Sequence, residues 1–240
     1  MRKRIDLVLV ARGLFDSRAK ARAAIEAGGV KVDGRVVLRA SEPVHMDAEI
    51  EAMAAHPFVG RGALKLDHAL RLWPIAVEGQ VALDIGASTG GFSQVCLLSR
   101  ARRVYAVDVG QGQLHSSLVS DPRVINLEKT DARSLTTAQV PNAVDLVVCD
   151  ASFISLVKVL PAALSLCAPG ADLVALIKPQ FEVGPGAVGK GGLVRDETAR
   201  ETAAKAVETW LGAQGWTVQD RTLSPITGSD GNIEYLVWAK

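Results

Sequence analysis

Four ionisable residues stand at the edges of apolar runs in this sequence. Lys65 lies in Arg61-Gly62-Ala63-Leu64-Lys65-Leu66, Asp150 follows Val147-Val148-Cys149, Lys178 follows Ala175-Leu176-Ile177, and Glu234 falls inside the run Ile233 to Trp238. Two lysines interleaved with two carboxylates can manage a proton on a hydroxyl. A hydroxyl is a poor nucleophile and needs a base, and a lysine that is crowded by a second cation and partly desolvated gives up its proton more readily. On this reading Lys178 is the base, Asp150 orients it, and Lys65 and Glu234 complete the network. Ordinary surface salt bridging fits the same spacing, and spacing alone does not choose between the two.

A second site-like feature is the run Leu83-Asp84-Ile85-Gly86-Ala87-Ser88-Thr89-Gly90-Gly91-Phe92. A strand is expected to end in the acid Asp84, a glycine-rich turn to follow, and Phe92 to open a helix. Such turns let a ligand approach the backbone closely, because a side chain would block it. The loop lacks the Gly-x-Gly-x-x-Gly spacing of dinucleotide sites and has no lysine placed for a phosphate loop. Asp108, 24 residues after Asp84, can accept both hydroxyls of an adenosine ribose, and Asp131 can meet an adenine amino group. Acidic caps at strand ends are the plain alternative for both.

These residues need elements to hold them. Val81 to Ile85, Val104 to Asp108, Val144 to Cys149 and Leu173 to Ile177 are short apolar runs suited to buried parallel strands, with helical patterns between them. That alternation predicts an α/β, doubly wound sheet, in which Asp150 and Lys178 finish neighbouring strands and face the same crevice as Gly86. Pro179 is expected to end regular structure after Lys178. The run Ile233 to Trp238 alternates like a last strand.

The amino-terminal part reads differently. Ile5, Leu7, Val8, Leu9 and Leu14 form a helical stripe closed by Gly13, Asp16-Ser17 offers the cap of a second helix, and Asp33-Gly34 marks a tight hairpin. Residues 1–40 hold ten Lys or Arg against four acids, a balance of +6, in a chain whose net charge is +1. A basic segment on an otherwise acidic chain fits contact with nucleic-acid phosphates, with Arg18, Lys20 and Arg22 on one helix face.

Cys96, Cys149 and Cys167 are scattered and the four histidines lack ligand spacing, so no metal is expected. No run approaches the roughly 18 apolar residues of a membrane span, which leaves no membrane partner and cytoplasmic residence as the expectation. A monomer is favoured.

Two resemblances go beyond these readings. The stretches Arg4-Ile5-Asp6, Ser17 to Ala21 and Gly28 to Gly34 resemble the small S4-like RNA-binding domain shared by a ribosomal protein and many pseudouridine synthases. The rest is similar throughout to the TlyA family of ribosomal RNA 2′-O-ribose methyltransferases, which are related to the FtsJ heat-shock methyltransferase. The matching stretches include Arg61 to Asp67, Leu83 to Phe92, Val107 to Gly110 with Gln113, Asp150 to Leu156, Leu176 to Val183 and Ser224 to Tyr235.

The resemblance implies an S4-like domain over residues 1–58 and a Rossmann-like methyltransferase domain with a seven-stranded sheet over 59–240. It implies S-adenosylmethionine as cofactor, cytidine in 16S or 23S ribosomal RNA as substrate, and a Lys-Asp-Lys-Glu tetrad on Lys65, Asp150, Lys178 and Glu234. The expected cofactor contacts are Asp84, the loop from Gly86 through Ala87, Ser88, Thr89, Gly90 and Gly91 to Phe92, then Asp108, Val109, Gln113, Asp131, Ala132 and Asp150. Arg4, Arg18, Lys20, Arg22, Lys31 and Arg61 are expected to contact RNA.

Two positions depart from the family pattern: Gly60 stands where a serine is expected, and Gln111 where an aromatic is usual. The glycine-rich stretch 184–192 reads as a loop able to close over the site. Some relatives carry a haemolysin label, so a membrane-active protein is one competing function. A non-catalytic RNA-binding assembly factor is another.

Overall fold

A computed structural model describes residues 2–240, which form two compact units that divide between Pro57 and Phe58. The first contains β1 (Arg2–Arg4), α1 (Ile5–Ala11), α2 (Arg18–Glu26), β2 (Val30–Val32), β3 (Arg35–Val36), β4 (Pro43–His45) and β5 (Ile50–Ala52). Ser17 caps α2, its hydroxyl accepting from the Lys20 amide. Asp33 and Gly34 both take positive φ, as the two-residue turn joining β2 to β3 requires. Strands pair as β3-β2-β5, and β1 forms a separate antiparallel ribbon with β4.

The core of this unit is small: Ile5, Val8, Leu9, Ile25, Val30 and Val37 are fully buried. Leu7 and Leu14, expected in the stripe of the first helix, stay on the surface. The seven-residue α1 buries Ile5, Val8 and Leu9, at the three-to-four spacing of one helix face, and Asp6 beside them.

The second unit contains α3 (Ala63–Leu72), β6 (Val81–Ile85), α4 (Gly91–Leu98), β7 (Arg103–Val107), α5 (Ser116–Val119), β8 (Val124–Leu127), β9 (Val144–Cys149), α6 (Leu156–Leu164), β10 (Cys167–Ile177), α7 (Pro179–Glu182), α8 (Glu197–Ala213), β11 (Val218–Leu223) and β12 (Tyr235–Ala239). Seven strands form one sheet in the order β11-β12-β10-β9-β6-β7-β8, and only β12 runs against its neighbours.

Both sheet faces are covered, which is why the strands read as continuous apolar runs. Leu83, Val147 and Leu173 pack on one side with Leu160 and Leu211, while Ala82, Leu146 and Val174 pack on the other with Leu66 and Phe92. The chain lays β6, β7 and β8 outward in one direction and then returns to place β9 on the other side of β6. This reversal opens a crevice at the carboxyl ends of β6 and β9, where ligands bind in open α/β sheets.

Three expectations are corrected. Glu234 lies just before β12 rather than inside it, because the strand starts at Tyr235. Pro179 opens α7 at its first position instead of ending structure, where its missing N–H costs nothing. Asp108 falls in the loop after β7, which ends at Val107. Strands β8 and β11 extend the sheet beyond the runs that stood out in the sequence. No helix among the described residues is long and apolar enough to cross a membrane.

Candidate active site

The four charged residues meet. Lys65, on the first turns of α3, donates to Glu234 Oε2 at 2.6 Å and lies 3.5 Å from Asp150 Oδ2. Lys178, at the end of β10, lies 2.6 Å from Asp150 Oδ1 and donates to the Asp150 carbonyl (3.1 Å) and to Ser152 Oγ (2.8 Å). The chain of contacts is therefore Glu234, Lys65, Asp150, Lys178. Lys65, Lys178 and Glu234 are buried, so this is no surface salt bridge. Asp150 Oδ1, despite its ion pair, accepts no aligned hydrogen bond.

Backbone features bring the four together. Gly62 precedes α3, and a Cβ there would stand 3.1 Å from Asp150 Oδ2, so the carboxylate sits close to the positive end of that helix. Glu234 can reach the carboxyl ends of the parallel strands because β12 is reversed and begins at that edge. Glu182 of α7 accepts from Ser155 Oγ (2.6 Å) and from the Leu156 amide (2.8 Å), tying the segment after Lys178 to the loop after Asp150. Burial pushes the Glu182 carboxyl up despite these donors. Nothing but its place four positions after Lys178 marks this residue in the sequence.

Two cavities adjoin along the crevice and share Gly86, Ser88, Asp150, Ser152 and Phe153. One, of about 580 Å³, is lined by Asp108, Val109, Gln113, Asp131 and Ala132. The other, of about 620 Å³, is lined by Ala87, Thr89, Gly91 and Phe92, by Arg61, and by all four members of the charged chain. Both fall within the roughly 300–1,000 Å³ of small-molecule sites.

Asp108 accepts from the Ser88 amide (2.8 Å) and the Gly110 amide (2.7 Å), one on each oxygen, which leaves each a further lone pair. Gln113 accepts from the Ser88 hydroxyl at 3.2 Å and so braces the same loop. Asp131 is held by Arg133, whose hydrogen bonds keep the carboxyl at about 2.

Two expected cofactor residues are not among those lining either cavity. Asp84 is wholly buried within β6, where it accepts the Ser93 hydroxyl at 2.6 Å and its other oxygen has no partner. Burial raises its pKa to about 7. Gly90 has positive φ, and a Cβ there would strike Leu118 and Leu114.

The glycines of the loop answer mainly to protein neighbours. A Cβ on Gly86 would come within 2.8 Å of Ala151 Cα, and one on Gly91 within 2.9 Å of the Ala63 amide. The expected reason, close approach of a ligand, is joined by a second one, close approach of neighbouring backbone. Gly60 belongs to the same packing, since a Cβ there would lie 2.6 Å from Thr89 Oγ1.

In the first unit, the expected RNA-contacting cations are mostly paired. Arg4 and Arg18 both donate to the buried Asp6, at 3.0 and 2.9 Å. Lys20 pairs with Asp16, Arg22 with Glu26 and Lys31 with Glu51. Burial alone would raise the Asp6 carboxyl, but the two guanidinium groups outweigh it and hold it below its ordinary value.

A seven-stranded sheet with one reversed strand, a glycine loop at the switch point and a cavity on each side of it define a Rossmann-like methyltransferase. Residues 58–240 match the FtsJ-like methyltransferase family and residues 3–50 the S4 domain. A 16S/23S rRNA (cytidine-2′-O)-methyltransferase, TlyA, of Mycobacterium tuberculosis is 45% identical over 100% of this chain and 90% of its own. A Brachyspira hyodysenteriae protein named Hemolysin A is 38% identical over 97% of this chain and 98% of its own. A solved Streptococcus thermophilus structure, also under a hemolysin title, superposes with a TM-score of 0.78 at 36% identity, covering 99% of this chain and 88% of that one. The chain belongs to the TlyA family of FtsJ-like methyltransferases.

Proposed function

We propose that this protein transfers a methyl group from S-adenosylmethionine to a ribose 2′-hydroxyl of cytidine in 16S or 23S ribosomal RNA. The observation that carries the reading is the buried Lys65, Asp150, Lys178 and Glu234 chain at the junction of two cavities. The M. tuberculosis relative, named as a cytidine-2′-O methyltransferase, supports the choice of substrate.

The residues of the smaller cavity fit the cofactor. Asp108 offers free lone pairs for ribose hydroxyls, Asp131 an acceptor for the adenine amine, and Asp150 a carboxylate for a positive sulfonium. When bound, the cofactor supplies an electrophilic methyl group. Positioning and charge then provide most of the acceleration. Lys178 receives the proton of the attacking hydroxyl, Asp150 holds Lys178 in place, and Lys65, itself held by Glu234, pairs with Asp150. Arg61, which reaches the Thr227 carbonyl at 3.5 Å on the cavity wall, is placed to meet an RNA phosphate. The first unit offers Arg4 and Arg18 for further backbone contacts that position RNA without reading its bases. A ribosomal RNA substrate places the work in the cytoplasm.

Transfer of tritium from labelled S-adenosylmethionine to ribosomes, separated subunits and naked ribosomal RNA tests the reading, with mass spectrometry locating the methyl group. Methylated 2′-O-cytidine is the expected product. Salt-dependent RNA binding with no transfer to any substrate would overturn it in favour of a binding factor. Leakage of liposomes at low protein concentration without transfer would favour the haemolysin reading.

A further inference from the structure

The base proposed above is poorly placed to meet a substrate directly. The Lys178 side chain is only 7% exposed, and its ammonium faces three oxygens: the Asp150 carbonyl, Asp150 Oδ1 and Ser152 Oγ. Two of its N–H donors go to the Asp150 carbonyl and Ser152 Oγ, and Asp150 Oδ1 stands beside them as an ion-pair partner at 2.6 Å. Ser152, by contrast, is exposed and lines both cavities. Lys178 thus shows little of itself to the larger cavity that it helps to line, and its amine touches an exposed hydroxyl open to both cavities at 2.8 Å.

The three oxygens are not equivalent. A carbonyl and a carboxylate can only accept, whereas a hydroxyl can accept and donate. Once Lys178 has given up a proton it has two N–H groups and a lone pair. Of its three partners only Ser152 can then turn its O–H towards that lone pair. Doing so frees the Ser152 oxygen to accept a hydrogen bond from a hydroxyl in the crevice.

We propose that Ser152 is a catalytic residue that relays the proton from the acceptor hydroxyl to Lys178. This rests on the reading of the protein as a hydroxyl methyltransferase. The acceptor O–H proton passes to Ser152 Oγ as the Ser152 proton passes to Lys178 Nζ, which becomes an ammonium. The electron pair left on the acceptor oxygen forms the new O–CH₃ bond. The carbon–sulfur bond of the sulfonium donor breaks, its electrons stay on sulfur, and the positive charge ends on Lys178. Ser152 finishes with its hydroxyl restored.

Single-turnover methyl transfer to ribosomal RNA, measured in mixtures of H₂O and D₂O, tests the relay on the full chain. With two protons in flight, the rate of the unaltered protein should curve downward against deuterium fraction. Ser152→Ala should slow transfer by about 100-fold, the lower range for a lost proton-transfer group, and straighten the curve. Calorimetry should show its affinities for S-adenosylmethionine and RNA within about twofold of the original, on the order of 0.4 kcal/mol at most. Ser152→Thr, which keeps the hydroxyl, should recover most of the rate and the curvature.

A Ser152→Ala rate close to that of the unaltered protein would overturn the relay. So would a slow Ser152→Ala protein whose isotope curve is unchanged, because the serine would then only position Lys178. Absence of transfer by the unaltered protein would instead remove the methyltransferase reading, and the relay with it.

Discussion

Two charge clusters in this molecule are built inside out from one another. In the first unit the carboxylate Asp6 is fully buried and its cations, Arg4 and Arg18, are 46% and 56% exposed. In the second unit the cations Lys65 and Lys178 are 8% and 7% exposed, and Asp150, at 18%, is the most open member. The first arrangement orients positive charge outward, where it can neutralise phosphates and remain screened by salt. The second hides positive charge from water, where each contact is stronger and each unpaired ion costlier. Under the proposed function, one chain uses the same kind of ion pair for docking and for chemistry, and the difference is which partner faces solvent.

The largest effect is expected at Lys178. Lys178→Ala should reduce methyl transfer about 1,000-fold, roughly 4 kcal/mol of barrier, with circular dichroism unchanged. An active variant would make the buried cluster structural only. Lys65→Met should unfold more easily, by about 3–5 kcal/mol, since it leaves Asp150 beside Glu234 with no cation between them. Adding Glu234→Gln should recover much of that stability in chemical denaturation without recovering activity.

In the outward cluster the effects should be smaller and of another kind. Arg18→Ala should weaken RNA binding by about tenfold at low salt and reduce the salt slope by about 1, with Arg4 still pairing Asp6. A slope unchanged in filter binding would show that Arg18 serves Asp6 alone.

Effects of another kind should appear in the pH dependence of melting, with opposite signs at two buried carboxyls. Asp6, held below its ordinary value, stabilises the fold above about pH 4 and loses that contribution as pH falls further. Asp6→Asn should flatten the acid limb. Asp84 has a hydroxyl partner instead of guanidinium groups, and its pKa of about 7 makes its ionisation costly as pH rises from about 4 to 7. Asp84→Asn should flatten that interval instead.

The sheet was legible because β6, β7, β9 and β10 are buried on both faces and so read as apolar runs. The crevice was legible because those runs end at Gly86, Asp150 and Lys178. The first unit's turns were legible too, through Ser17 and through Asp33-Gly34. What stayed hidden depended on contacts distant in sequence. Ser152 and Glu182 carry no local signature, and their importance comes from what they touch across the switch point. Arg18 reads as a free cation until Asp6, twelve residues earlier, is seen to hold it. The buried position of Asp84 was missed because an acid beside a glycine loop reads as facing a ligand, whereas its partner is the Ser93 hydroxyl, nine residues on.

The reversed strand β12 has a consequence for how the protein comes into being. It inserts between β10 and β11, both of which precede it in the chain, and it brings Glu234 to Lys65 at its leading end. During synthesis from the amino terminus, β11 has no neighbour in the sheet and Lys65 no Glu234 until this segment leaves the ribosome. The sheet and the buried charge cluster are therefore completed by one and the same late segment.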